Sequence, residues 1–320
     1  MKKFALIGAS GYIAPRHMKA IKDTSNELVV SYDLYDGIGI MDSNFPDADF
    51  FTEAERFEDF IYQWKREHGK PLDYIAIASP NYLHKSHMRL ALSHGADAIC
   101  EKPLVLNPTD IDELKIVEQE SGKRVYNILQ LRLHESIIAL KEKVLKELAE
   151  NPDKIYEIDL TYLTSRGKWY FESWKGKEEK SGGLASNIGV HFYDMLSWIF
   201  GEVEENVVHL KTPYANAGYF KLKNARVRWF LSVKYDYIPD DIKASGLRTY
   251  RSITVDGDEI EFSGGFTELH TRSYEEIIKG NGFGLDEARN SIEIVSTIRN
   301  LQPIGLKGEY HPFCKKVISE

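Results

Sequence analysis

Short apolar runs alternate with amphipathic stretches of helical length through the first third of the chain, the pattern of a parallel sheet covered by helices. The runs predict strands at Phe4–Ile7, Leu28–Asp33, Tyr74–Ala78, Ala98–Cys100 and Arg124–Asn127. The stretches between them predict helices at Ile13–Asp23, Glu53–His68, His84–Ser93 and Thr109–Ser121. Pro108 opens the last of these, because a proline there gives up only an amide that a helix start leaves unpaired. The expected fold is α/β, with an amino-terminal Rossmann domain, a doubly wound parallel sheet, over residues 1–128. From Leu129 the rhythm changes. A helix over Glu135–Leu148 gives way to strand-like segments at Tyr156–Thr164, Arg226–Val233, Tyr250–Val255 and Glu259–Phe262, with Asp256-Gly257 as a hairpin turn. Strands with few helices between them predict a carboxyl-terminal α+β domain, residues 129–320, built on a large, mainly antiparallel sheet. The tail from Gln302 to Glu320 has little periodicity and is expected as an arm onto a neighbouring subunit or as a mobile end.

Composition narrows the class. A chain of 320 residues with 42% hydrophobic positions can fill real cores. Its formal net charge, 41 − 49 = −8, repels nucleic acid, and no concentrated basic patch offsets it, so no nucleic-acid partner is expected. Cys100 and Cys314 are too few for a disulfide framework, and no histidine or acid cluster has metal-ligand spacing. A cytoplasmic protein without a metal is expected. The apolar run Phe4–Ile7 ends at Gly8, too short for a signal segment or a membrane span, so no membrane partner is expected either.

Candidate chemistry begins after the first strand, at Gly8-Ala9-Ser10-Gly11-Tyr12-Ile13-Ala14. Glycines let the backbone approach an anion, and the following helix start offers unpaired amides to a pyrophosphate. The spacing is G-x-x-G-x-x-A, one residue longer than the usual G-x-G-x-x-G/A, and a plain tight turn competes with it. Asp33 closes the second strand 22 residues after Gly11, where an acid can accept both ribose hydroxyls of NAD and repel the extra phosphate of NADP. Arg16 and His17 follow the loop and are expected as solvated helix charges, or as groups reaching a cofactor in a neighbouring subunit.

Two later motifs stand at strand ends, Ser79-Pro80-Asn81-Tyr82-Leu83-His84 and Glu101-Lys102-Pro103, where ligands sit in such folds. With Gly182-Gly183-Leu184-Ala185-Ser186-Asn187-Ile188-Gly189-Val190-His191-Phe192-Tyr193-Asp194, the chain resembles the glucose-fructose oxidoreductase and inositol dehydrogenase family, Gfo/Idh/MocA. The resemblance implies an NAD-dependent oxidoreductase whose cofactor meets Gly8, Gly11, Tyr12, Ile13, Asp33, Ser79, Asn81, His84, Glu101, Lys102 and Gln130. It also implies that Lys102 lies beside the nicotinamide and that His191 points into the substrate pocket. Many members carry an aspartate where this chain has Asn187, one turn before His191. An amide relays no proton, so Asn187 is expected to hydrogen-bond substrate instead. The segments Thr164–Tyr170, Ser173–Gly176 and Asn187–His191 look most like the branch that oxidises carbon 3 of UDP-N-acetyl-2-amino-2-deoxyglucuronate for bacterial surface polysaccharide. A homo-oligomer, dimer or tetramer, and 2-oxoglutarate as a second substrate are further implications.

Oxidising a secondary alcohol needs a base for the hydroxyl proton, and Lys102 and His191 are the two catalytic candidates. The preferred division makes His191 the base and Lys102 the group that holds the oxygen. Arg166 has the planar fork to grip a carboxylate or diphosphate, with Tyr170 and Lys175 in the same pocket. Trp169 and Trp174 are expected as core, and Asp194 is left either pairing with His191 or facing solvent. Two competing readings keep the fold: a dehydrogenase of a free polyol or sugar, and a nicotinamide-binding regulator without turnover.

Overall fold

β1 (Lys3–Ile7) is buried along nearly its whole length, which explains its unbroken apolar run. It leads into α1 (Ala14–Asp23), β2 (Glu27–Tyr32), α2 (Ile38–Asn44), β3 (Asp49–Phe51), α3 (Ala54–His68), β4 (Tyr74–Ile77), α4 (His84–Ser93), β5 (Asp97–Cys100), α5 (Pro108–Ser121) and β6 (Val125–Asn127). The computed structural model describes residues 1–260 and 268–318. Among these, the six strands β1 to β6 form one sheet in the order β3-β2-β1-β4-β5-β6, every pair parallel. This is the doubly wound sheet expected. The predicted strands and helices match to within about two residues. The additions are α2 and β3, which escape detection because α2 holds Gly39, Asp42, Ser43 and Asn44 and β3 is a three-residue edge strand. Left-handed glycines stop α3 and α5, Gly69 at φ 67° and Gly122 at φ 66°.

The chain divides into two units, Met1–Gln130 with Thr267–Arg289, and Leu131–Phe266 with Asn290–Glu320. The second unit begins with α6 (Glu135–Glu150), β7 (Tyr156–Thr164), α7 (Lys168–Glu172) and α8 (Glu178–Ser181). A π-helical turn over Ala185–Gly189 then runs into α9 (Val190–Phe200). β8 (Val203–Lys211), β9 (Ala215–Leu222), β10 (Ala225–Ser232), α10 (Asp240–Ala244), β11 (Thr249–Val255) and β12 (Asp258–Glu259) follow. Their sheet has the order β12-β11-β7-β10-β9-β8, antiparallel except for the β7–β10 pair. A mainly antiparallel sheet was expected, but β8 and β9 were not. β8 carries Glu204, Glu205 and Asn206 in succession, and its register with β9 shifts twice, so no clean alternation marks it. Of the strand expected at Glu259–Phe262, Glu261 and Phe262 lie outside the described residues.

One face of this sheet builds the larger core, in which Trp229, Phe220 and Tyr193 interlock against Leu196 and Phe200 of α9. On the other face, Phe230, Leu163 and Ala217 are covered by Tyr310, Phe313 and Cys314 from the tail. His311 lies with its Nε2 3.0 Å from the Thr161 hydroxyl. The tail is therefore packed on its own unit through α13 (Cys314–Ile318). Before it come α11 (Leu269–Lys279) and α12 (Leu285–Asn300). α11 belongs to the first unit, where Tyr274 stacks on Phe4 of β1 at 5.8 Å, a return that a boundary at 128/129 does not include. No helix among the described residues is long and apolar enough to cross a membrane.

Gly218 in β9 is required by this packing. A Cβ there would stand 2.2 Å from the Val207 carbonyl oxygen and 2.5 Å from the Trp229 ring. Gly218→Ala is expected to destabilise the protein by about 2 kcal/mol or more, through overpacking against backbone. An unchanged urea midpoint would refute this account of the sheet.

Candidate active site

The phosphate loop is shaped by contact between backbones. Gly8 has φ 89°, and a Cβ on it would lie 2.6 Å from the Ala78 carbonyl carbon at the end of β4. Its N–H donates to the Tyr32 carbonyl at 2.8 Å, and the Gly11 N–H returns to the Gly8 carbonyl at 3.0 Å. Ile13 stands at the start of α1 with no side-chain cap, and Tyr12 is exposed. Asp33 follows β2 and accepts the Ser10 N–H at 2.9 Å and the Tyr35 N–H at 3.0 Å, one on each carboxylate oxygen. Each oxygen keeps a further lone pair for a ligand hydroxyl. Gln130 is buried, and its side-chain oxygen has no hydrogen-bond partner. A glycine cradle, an acid at the strand end and an orphaned amide oxygen together fit a dinucleotide.

Ser79, Asn81 and His84 follow β4, and all three are buried. The His84 ring bridges two loops, with Nε2 2.9 Å from the Ser79 carbonyl and Nδ1 2.8 Å from the Pro103 carbonyl. Burial pushes its imidazole down, against the pull of these carbonyls and of Glu101. The Ser79 hydroxyl lies 2.8 Å from Nδ1 of His87, which burial brings down to about 4. Sequence reasoning placed Glu101 beside the cofactor, and the structure gives it an unforeseen set of neighbours. Its Oε1 lies 3.1 Å from Nε2 of His17 and 2.8 Å from Nε2 of His270, while Oε2 accepts the Lys102 N–H at 3.2 Å. Burial alone would push this carboxyl up, but hydrogen bonds from the two imidazoles hold it well below its usual range. His17 is thus fully buried, which corrects the expectation of a solvated helix charge. Its Nδ1 lies 2.7 Å from the Tyr274 hydroxyl, which burial and the Glu101 charge push well above the ordinary tyrosine value.

In the second unit, Asn187 sits in the π-helical turn that runs into α9 just before His191. Its amide N–H donates to the Tyr170 hydroxyl at 3.0 Å, joining two of the predicted substrate residues. Burial pushes the Tyr170 hydroxyl up in spite of that bond. His191 is half-buried in the first turn of α9. Arg166 is exposed just before α7, and Lys175 lies just after it with its ammonium 5.7 Å from the Trp174 ring centre. Trp169 is 79% exposed, so it is no part of the core. Asp194 takes neither alternative left open for it. It is buried and gripped by Arg132 through two bonds of 3.0 and 2.7 Å, which anchors α9 three residues beyond His191. Arg132, His270 and Tyr274 carried no sequence signal, and neither did the partners of His17, since the contacts of these four span 62, 84, 169 and 257 residues.

Known proteins similar to this chain span both of its units. Residues 2–128 match the description "Oxidoreductase family, NAD-binding Rossmann fold", and residues 147–241 match "Oxidoreductase family, C-terminal alpha/beta domain". The chain is 51% identical to the WlbA (WbpB) dehydrogenase from Thermus thermophilus in complex with NAD and alpha-ketoglutarate, over 98% of this chain and 100% of that one, with a TM-score of 0.93. The same dehydrogenase in complex with NAD and UDP-GlcNAcA gives 50% identity, the same coverage and a TM-score of 0.92. Among curated relatives, the putative UDP-kanosamine synthase oxidoreductase subunit of Amycolatopsis mediterranei is 31% identical over 42% of this chain and 36% of that protein. Glucose-6-phosphate 3-dehydrogenase of Bacillus subtilis is 25% identical over 62% of this chain and 54% of that protein. The chain thus spans about a third to a half of the length of these curated relatives. Both family domains and a relative at half identity over its full length lead to one conclusion: the chain belongs to the Gfo/Idh/MocA oxidoreductase family.

Proposed function

We propose that this protein is an NAD-dependent dehydrogenase that oxidises the carbon-3 hydroxyl of UDP-N-acetyl-2-amino-2-deoxy-D-glucuronate to the 3-keto sugar, with 2-oxoglutarate as the second substrate. The observation that carries this reading is the half-identical Thermus thermophilus dehydrogenase holding NAD and UDP-GlcNAcA. Alpha-ketoglutarate on the same relative supports the second substrate, and the name of the Bacillus subtilis relative favours carbon 3. We assign the unit Met1–Gln130 with Thr267–Arg289 to cofactor binding and the unit Leu131–Phe266 with Asn290–Glu320 to substrate binding and assembly. A dimer or tetramer in the cytoplasm, serving lipopolysaccharide O-antigen biosynthesis, completes the proposal; the two cysteines, free and buried, suit a reducing compartment.

Bound NAD supplies an acceptor for the hydride of carbon 3. Gly8, Gly11, Tyr12 and Ile13 bring the backbone against the pyrophosphate, and Asp33 accepts the ribose hydroxyls. Ser79, Asn81, His84 and Glu101 shape the nicotinamide end, where the unpartnered Gln130 oxygen offers an acceptor to the carboxamide. His191 takes the hydroxyl proton while Lys102 holds the oxygen on which negative charge develops. Asn187 and Tyr170 act on the sugar as a hydrogen-bonded pair. Arg166 grips the uronate or diphosphate, and Lys175 meets phosphate.

The test is absorbance at about 340 nm, where the reduced nicotinamide is read. The signal is expected to rise when the UDP-linked N-acetylglucosaminuronate is added with NAD, and to fall on adding 2-oxoglutarate. Silence with the sugar nucleotide in excess NAD would reject the reading in favour of a free polyol or sugar substrate, and silence with those as well would leave the regulator. Lys102→Met is expected to lower kcat by about a hundredfold or more, and an unchanged rate would remove the lysine from the reaction. Asp33→Ser is expected to weaken NAD by roughly ten- to a hundredfold while narrowing its advantage over NADP; an unaltered preference would move that role elsewhere.

A further inference from the structure

Glu101 is a carboxylate taken out of water inside the first unit, and groups of that unit hold both its backbone and its side chain. Its own N–H donates to the Ile77 carbonyl at 3.0 Å, and the Asn127 amide donates to the Cys100 and Glu101 carbonyls at 3.0 and 3.3 Å. His17 comes from α1, one turn beyond the phosphate loop, and His270 comes from the start of α11. Both point Nε2 at the same oxygen, Oε1. An ionised carboxylate only accepts, so both Nε2 atoms carry the proton. In a neutral His17 ring Nδ1 then accepts from the Tyr274 hydroxyl, and Nδ1 of His270 is buried without a hydrogen-bond partner.

The three ligand atoms lie within 4.8 Å of one another, so a divalent cation is the competing account of the cluster. The hydrogen-bonded account fits better. An ionised Glu101 accepts a proton-bearing Nε2 from each ring, and a metal would need those nitrogens bare. The carboxylate also has a backbone partner on its second oxygen, the Lys102 N–H, which ties the clamp to the next residue in the chain.

We propose that Glu101, His17 and His270 are positioning residues for Lys102, a three-way clamp that fixes the lysine loop to the helix of the phosphate loop and to α11. This rests on the reading that Lys102 holds the reacting oxygen. Because α1 begins at the phosphate loop, the clamp gives the pyrophosphate end of the cofactor and the lysine one shared rigid reference. Displacement of the loop by about 1 Å is enough to lower the rate of a positioned reaction about a hundredfold.

The experiment compares His17→Leu and His270→Leu with His17→Gln and His270→Gln, since glutamine can present an N–H where imidazole Nε2 stood and leucine cannot. The leucine variants are expected to lose tenfold or more in kcat with KM for sugar and NAD within about threefold. The glutamine variants are expected to recover to within about threefold of the parent rate. Packing alone would move the melting temperature without separating leucine from glutamine in the kcat of folded protein, and that result would overturn the clamp. In case the leucine variants fail to fold, 15N spectra of the histidine-labelled parent provide a second reading. Nε2 is expected to carry a proton in both rings, and a bare Nε2 at either position would overturn the proposal. So would one equivalent of zinc persisting after dialysis against chelator. A parent protein inactive with the sugar nucleotide would reject the function beneath it, whereas an active parent with unaffected leucine variants would reject only the clamp.

Discussion

A parallel sheet whose chain order reverses between β1 and β4 leaves a crevice at its carboxyl edge, because the connections on the two sides depart in opposite directions. Everything assigned to the cofactor in the first unit descends from that constraint. Gly8 and Ala78 stand on either side of the reversal, and their backbones approach so closely that no side chain fits on the former. Asp33, at the end of the neighbouring strand, uses its carboxylate to hold the loop at Ser10 while retaining lone pairs for a ligand. The motifs ending β4 and β5 then fall beside one another because these strands are paired in register, Ile77 against Cys100.

Buried carboxylates recur as anchors in each unit. Glu101 is satisfied by two imidazoles and a backbone amide, Asp194 by the two-pronged guanidinium of Arg132. In both cases, removal of one partner would leave a charge in a low-dielectric interior, which is far more unfavourable than the intact pair is favourable. Such contacts are therefore poor sources of net stability and good sources of a unique geometry. Each also adjoins a candidate catalytic residue in sequence, Lys102 one position after Glu101 and His191 three positions before Asp194. The departure from the usual family aspartate at Asn187 has a structural counterpart: an amide can donate to the Tyr170 hydroxyl, as it does here, whereas a carboxylate could only accept from it.

The sequence by itself determined the doubly wound sheet, the glycine loop after β1, the acid that follows β2 and the two strand-end motifs, together with the family. These are local facts. A strand that is buried on both faces must be apolar throughout, a helix of fifteen residues such as α3 shows its stripe, and a glycine loop after a strand announces itself in a few residues. Where local patterning was weak, the elements were lost: β8 has consecutive acids and two register shifts, and β3 is three residues long. Only the tertiary structure decided that α11 belongs with the first unit, that His17 is buried rather than solvated, that Asp194 pairs with Arg132, and that the tail covers the second face of its own sheet. The reason is common to all four. Burial of a polar group is settled by the partner it finds, and here the partners come from segments too far apart in the chain for spacing or periodicity to connect them.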